Sequence, residues 1–173
     1  MKKSLALLAL ALAAATLAGA APSTPPPPDA APGPPARRAP AELSFYNDGT
    51  VLLFQKQWAG AQKQFEAALA INEAFAEAHN NLAYVLRKQG EANYARALEH
   101  YDRALALKPK LAEAYMYRGT LHALAGRAEL ARADYDTLVR LKSKLAPHLK
   151  KVIDTGREEE PEQFYGVMKK RKA

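Results

Sequence analysis

The sequence predicts an all-α fold, an array of helical hairpins stacked in series, and three observations predict it. One pattern of small, small, aromatic, small-or-aliphatic residues occurs three times: Gly49, Ala61, Phe65, Ala68; then Ala83, Ala97, Tyr101, Ala104; then Gly119, Ala131, Tyr135, Leu138. The copies recur at about 34 residues, the self-similarity expected of a solenoid whose units bury their apolar faces only against one another. The third observation is where the register slips. Gly49 to Ala83 is 34 positions and Ala83 to Gly119 is 36, whereas Ala61 to Ala97 is 36 and Ala97 to Ala131 is 34. Two extra residues therefore fall between Ala83 and Ala97, near Gly90-Glu91-Ala92-Asn93. A turn tolerates such an insertion; inside a helix each extra residue would rotate all later side chains by about 100°.

The units cut as 42–75, 76–111 and 112–145. Small residues at the first two sites of each copy let paired helix axes approach to about 8–10 Å. Larger side chains there would overpack the hairpin by about 1–3 kcal/mol. Leu69, Ile71, Leu105, Leu107, Val139 and Leu141 are expected to continue the apolar face of the second helices. Gly90 and Gly126 are read as the stops of the first helices of units two and three. Unit one has Lys56 at that place, followed by Trp58, which is expected to pack over the turn.

Beyond the third unit, Leu145, Leu149, Val152 and Ile153 share one helical face, predicting a closing helix near 146–155. Ser143 is its expected N-cap, Pro147 suits its first turn and Gly156 its stop. Two helices per unit plus this one make seven. Residues 157–173 read as a charged tail: Glu158, Glu159 and Glu160 before Pro161, a short segment with Phe164, Tyr165, Val167 and Met168, then Lys169-Lys170-Arg171-Lys172.

The amino terminus reads as lying outside the fold. Lys2 and Lys3 precede an apolar run from Leu5 to Leu17, and Ala18-Gly19-Ala20 is an A-x-A-like cleavage site, so residues 1–20 read as a secretory signal peptide cut after Ala20. The rival reading is an uncleaved membrane anchor, for which the run falls short of the roughly 20 residues a span needs. The expected location is periplasmic or secreted. Residues 21–40 hold nine of the twelve prolines and read as a disordered linker of extended polyproline II, reaching about 60 Å. A spacer role is the simpler reading; such a tract can also be a ligand for aromatic grooves. The chain contains no cysteine, which removes disulfides, lipid thioethers, thiol catalysis and thiolate metal sites.

The repeated positions resemble the tetratricopeptide repeat (TPR). Its pattern wants a small residue at position eight (Gly49, Ala83, Gly119), Ala at twenty (Ala61, Ala97, Ala131), an aromatic at twenty-four (Phe65, Tyr101, Tyr135) and Ala at twenty-seven (Ala68, Ala104). Of these twelve sites eleven fit, Leu138 being the departure. The closing Pro appears once, as Pro109, with Glu73 and Ser143 at the other two sites. Position seven, usually Leu, is Leu82 in the middle unit but Asp48 and Arg118 in the others. The resemblance covers about residues 42–145. It implies a right-handed stack of three TPR hairpins, an α-solenoid, with a C-terminal capping helix, forming a domain over 41–156. It also implies a non-enzymatic protein-interaction module that takes a partner protein or peptide in a concave groove lined by the first helix of each repeat. The partner-binding residues expected there are Tyr46, Thr50, Phe54, Asn80, Tyr84, Arg87, Lys88, Met116 and Thr120. Leu53 and Leu124 share the wall but can equally pack within the array. Aromatic, Met and Arg side chains are enriched at interface hot spots, and Arg87 and Lys88 would steer acidic partners.

TPRs that clamp the carboxylate tail of cytosolic chaperones place Lys and Asn at positions five and nine of repeat one, Asn at six of repeat two, and Lys and Arg at two and six of repeat three. Here those sites hold Tyr46, Thr50, Asn81, Glu113 and Tyr117; Asn81 alone matches and Glu113 would repel a carboxylate.

Nothing in the sequence argues for catalysis. The four histidines, His79, His100, His122 and His148, include no pair three or four apart, so no helix carries a two-histidine metal face. His79 and His122 read as packing residues and Ser44 as a helix-start residue. There is no G-x-S-x-G, no phosphate-binding glycine loop and no H-E-x-x-H. No cofactor, metal or nucleic-acid partner is expected. The net charge is +7, or +5 once Lys2 and Lys3 leave with the signal. The basic tail offers an alternative function, a structural or envelope-associated spacer whose tail contacts anionic polymer or lipid.

Overall fold

The computed structural model describes residues 40–158. The segment expected to be a signal peptide, residues 21–39 of the expected linker and residues 159–173 of the expected tail lie outside the described residues. Seven α-helices run in order: α1 Ala41–Phe54, α2 Trp58–Ile71, α3 Ala76–Lys88, α4 Tyr94–Leu107, α5 Ala112–Leu124, α6 Ala128–Arg140 and α7 Ala146–Thr155. The described residues contain no strand.

The repeat pattern places each helix. Ala61, Ala97 and Ala131 are each the fourth residue of the second helix of a hairpin, and all three are fully buried. Facing them, Gly49 and Gly119 carry no Cβ because none fits. A Cβ on Gly49 would stand 2.8 Å from Phe65 Cε1, and one on Gly119 would stand 2.5 Å from Leu149 Cδ2. The two-residue insertion falls at a short three-residue 3-10 turn, Glu91–Asn93, between α3 and α4, leaving both helices in register.

Helices α1 with α2, α3 with α4, and α5 with α6 pack as hairpins. The backbones of the first helices also approach one another, α1 with α3 and α3 with α5, whereas those of the second helices stay farther apart, α2 and α4 being bridged by the long Arg96–Glu66 side-chain pair. The array therefore curves with α1, α3 and α5 on its inner side. Helix α7 closes the open end by packing on α5 and α6, with Leu149 fully buried and Val152 nearly so.

Aromatic rings knit the layers. Tyr46 on α1 packs against Phe65 (5.8 Å between centroids) and Phe75 (4.8 Å). Trp58 begins α2 and meets Tyr84 of the next hairpin edge-on at 6.4 Å. Tyr84 in turn meets Tyr117 of the third hairpin at 4.9 Å.

Three sequence expectations are corrected locally. Ile71 and Val139 are about half exposed. At about 100° per residue they stand roughly 80° to either side of the stripe centred on Ala61 and Ala131, so they face solvent rather than the first helices. Ser143 does not cap α7: Leu145 is the N-cap residue, and the Ser143 hydroxyl accepts the Leu145 N–H at 3.2 Å in a local turn. Ser44 lies inside α1, which starts after Pro40. The stops behave as glycine chemistry requires at Gly126 and Gly156, with φ of 71° and 64°, while Lys56 and Lys142 adopt φ of 57° and 52° without that freedom. Each lysine costs about 1–2 kcal/mol of backbone strain.

Arg118 explains the unusual seventh position of the third repeat. Its guanidinium donates to Asp134 through Nε (3.1 Å to Oδ2) and Nη2 (2.6 Å to Oδ1), and to Asp102 Oδ1 through Nη1 at 2.6 Å. One side chain thus ties α5 to both α4 and α6, and it stacks over the Tyr115 ring at 5.6 Å. Burial alone would lower the Arg118 pKa; the hydrogen bonds and charges of Asp134 and Asp102 hold it above its ordinary value.

Candidate functional site

The inner wall is built from α1, α3 and α5, and its centre is α3. Eleven of the thirteen residues of α3, Ala76 and Ala78 through Arg87, are buried, with only Glu77 and Lys88 less covered, because this helix is sandwiched between hairpins one and three. At the C-terminal end of α3 the Arg87 guanidinium lies 5.1 Å from the Tyr84 ring centroid and Lys88 Nζ 5.8 Å from it. Both cations meet one carboxylate. Arg87 donates to Glu158 in a fork, Nη1 to Oε2 at 2.8 Å and Nη2 to Oε1 at 2.7 Å, and Lys88 Nζ lies 3.3 Å from Oε2. The fork matches the planar geometry that makes Arg–carboxylate pairs specific. Burial would lower the Arg87 pKa, but the Glu158 hydrogen bonds raise it above its ordinary value. Burial would likewise raise the Glu158 carboxyl, yet Arg87 and Lys88 hold it below the usual carboxylate range.

The nine residues expected to contact a partner divide into two groups. Tyr46, Thr50, Asn80, Tyr84, Arg87, Met116 and Thr120 are all buried, and Lys88 is partly covered. Phe54 is exposed, at 47%. Some of these side chains serve the array itself. Thr50 Oγ1 donates to the Tyr46 carbonyl at 2.8 Å, and Thr120 Oγ1 points to Met116 Sδ at 3.7 Å. Asn80 Nδ2 donates to Asn81 Oδ1 at 3.3 Å, and Asn81 Nδ2 to the Tyr46 hydroxyl at 3.2 Å. Asn81, the lone match to the chaperone clamp, is therefore fully buried in a link between α1 and α3. Arg87, Lys88 and Tyr84 are the residues the structure gathers into one charged and aromatic cluster.

Two features escaped sequence reasoning. Glu158 is one of three consecutive glutamates, and nothing in their order singles out the one that meets Arg87; the only signal was a glycine stop at Gly156 two residues before an acidic run. The second is a histidine pair formed between helices rather than along one. His79 Nδ1 and His100 Nδ1 are 3.0 Å apart across α3 and α4, with ring centroids at 5.2 Å. His79 Nε2 is 2.9 Å from the Glu73 carbonyl, which can only accept, so Nε2 carries the proton and Nδ1 receives one from His100. Among the described residues no group of three or more metal-ligating side chains converges.

The pair makes stability depend on pH. Burial lowers both imidazoles from the ordinary 6.5, His100 to about 4 with help from the neighbouring His79 and Arg96, opposed by Glu66; the Glu73 carbonyl partly offsets the fall at His79 and Arg103 adds to it. Folding therefore favours the neutral rings, and their contribution is complete above about pH 6.5 and lost as pH falls toward about 4. The thermal midpoint should drop between pH 7.5 and pH 5, and drop less in a His100→Gln variant. His122, also lowered mainly by burial, contributes with the same sign in both proteins, so equal drops would show that the His79–His100 pair plays no part.

An inner wall of first helices carrying a basic and aromatic centre defines the class: a solenoid of helical hairpins, a fold typical of protein–protein interaction modules. The chain belongs to the tetratricopeptide repeat family, whose pattern matches residues 46–92 and 91–146, more than half of the chain. Members of that family are in general non-enzymatic scaffolds. No curated protein matches the sequence. Among solved structures, the chain resembles the TPR domain of Arabidopsis OM64 with a TM-score of 0.60 at 24% identity, over 68% of this chain and 97% of that one. The first TPR of Spaghetti (RPAP3), bound to the HSP90 peptide SRMEEVD, superposes with a TM-score of 0.61 at 19% identity, over 67% and 92%. The Sgt2 TPR domain from Aspergillus fumigatus gives 0.60 at 18%, over 68% and 77%. At these identities the likeness is one of fold.

Proposed function

We propose that this protein is a non-enzymatic interaction module of the cell envelope that receives a helix or extended peptide of a partner protein along the wall of α1, α3 and α5. The observation that carries the reading is the Arg87–Lys88–Tyr84 cluster, a basic and aromatic site at the centre of that wall that already accepts a carboxylate at 2.7–2.8 Å. The peptide complex of a structural neighbour supports peptide binding on this fold, although that chaperone-tail clamp is not shared by this chain. Binding changes no bond: Phe54 offers exposed apolar area at one end of the wall, and the cations select acidic partners.

The test is capture of the partner by the mature protein, titrated at two salt concentrations. Phe54→Ser with Lys88→Glu should abolish capture while leaving the helical content unchanged, since neither side chain is in the core. Deletion of Lys169 to Lys172 should weaken capture modestly and at low salt only, because exposed charges are screened within about 8–10 Å. The reverse pattern, loss with the tail and none with the groove, would assign function to the basic tail instead. The amino-terminal pattern of two lysines, apolar run and Ala18-Gly19-Ala20 supports export as part of this reading. Exported material should have the intact mass of a chain beginning at Ala21; retention of residues 1–20 in a membrane fraction would make the segment an anchor.

A further inference from the structure

The residue that fills the Arg87–Lys88 site belongs to the chain itself. Glu158 follows α7, 71 positions after Arg87 and with four helices, α4 to α7, between them in the chain, yet its carboxylate makes the two-pronged contact that an acidic ligand would make. We propose that Glu158 is an intramolecular occupant of the groove, so that a partner binds only by displacing this carboxylate from Arg87 and Lys88. The inference rests on the groove reading above and adds its regulation.

The local chemistry accounts for delivery. Helix α7 is fixed against α5 and α6, and it stops at Gly156, whose left-handed conformation turns the chain away from the helix axis. The Thr155 hydroxyl, which donates to the Lys151 carbonyl at 2.7 Å, accepts the Arg157 N–H at 3.3 Å and fixes the next peptide. Glu158 is the first residue past this turn to reach α3, and its side chain is only 16% exposed once there.

The occupant leaves a donor of the site unused. The hydroxyl of Tyr117 is buried without a hydrogen-bond partner, close enough to feel the Arg87 and Glu158 charges. An unmade bond of this kind is costly in a protein interior. A ligand carrying an acceptor beside its carboxylate would satisfy a group that Glu158 leaves bare. That difference lets a partner outcompete a tethered group that enjoys a local concentration on the order of millimolar. Acid does not help an acidic competitor: the Glu158 carboxyl, held below its ordinary value by Arg87 and Lys88 against the opposing effect of burial, stays ionised to lower pH than a free carboxylate does, so displacement is expected near neutral pH.

Two measurements on the full chain test the proposal. The first uses no ligand: a double-mutant cycle of unfolding with Arg87→Met and Glu158→Gln. The tether predicts coupling of at least about tenfold in the unfolding constant, in the range found for close charge pairs. The second titrates a fluorescent peptide of residues 156–163, Gly-Arg-Glu-Glu-Glu-Pro-Glu-Gln, in trans. Glu158→Gln should bind it about 10–100-fold more tightly than the unaltered chain, because a millimolar competitor has been removed. Adding Lys88→Glu to that variant should abolish binding. Absence of coupling overturns the inference and leaves the groove reading intact. Coupling with equal peptide affinity for both chains also overturns it, making Glu158 a structural strut. Coupling with no peptide binding by any variant overturns it together with the acidic-ligand reading of the groove.

Discussion

Tyr84→Ala will unfold or severely weaken the array, at a cost of about 3–5 kcal/mol, the range for deleting a buried aromatic side chain. Tyr84 is 1% exposed and joins all three hairpins: its ring meets Trp58 of the first and Tyr117 of the third, and it lies under the Arg87 and Lys88 cations of its own helix. Such a residue cannot be truncated to probe binding alone. Denaturant titration of the variant gives the answer, and a loss below about 1 kcal/mol would mean that the neighbouring rings collapse into the space. The groove is better interrogated through Phe54 and Lys88, whose removal opens no cavity.

Arg118→Ala should cost about 3 kcal/mol. Asp134 is 3% exposed, and removing its partner leaves a carboxylate buried between α5 and α6 with its charge uncompensated. The Asp102 arm matters less, because that carboxylate is largely in water and exposed pairs contribute about 0–1 kcal/mol. Asp102→Ala is therefore the internal control and should be nearly silent. The double variant Arg118→Met with Asp134→Leu should recover much of the loss, since it removes the stranded charge instead of its partner. Equal losses for Asp102→Ala and Arg118→Ala would contradict this apportioning of the three-way contact.

The particulars show what a single sequence carries. Helix number and hairpin order were legible because the signal repeats three times: Gly49 and Ala61, Ala83 and Ala97, Gly119 and Ala131 are small for one steric reason, and an insertion between Ala83 and Ala97 left its arithmetic behind. The stops at Gly126 and Gly156 were legible because a backbone conformation restricts the residue. Ser143 and Ser44 misled because a hydroxyl serves a local turn or a helix surface as readily as a cap. Ile71 and Val139 misled because apolar residues at the flank of a stripe look the same as those at its centre.

The site was legible at the level of the wall and not of its contacts. The repeat register located Tyr84, Arg87 and Lys88 on one face of α3. It could not reveal that a glutamate 71 residues away answers both cations, that Arg118 departs from the family's apolar residue because two aspartates receive it, or that His79 and His100 meet across a hairpin. Those contacts depend on how whole elements dock, and no local spacing encodes them.

The most direct test of the central claim, that partners bind the inner wall, is site-specific photocrosslinking in the native cell. A photoreactive phenylalanine analogue at position 54, on the inner helix α1, is compared with one at position 139, on the outer helix α6; both side chains are about half exposed, so reactivity toward bystanders is matched. The account predicts one discrete adduct from position 54, lost when Lys88→Glu is added, and none of the same mass from position 139. The same adduct from both positions, or from position 139 alone, would contradict it.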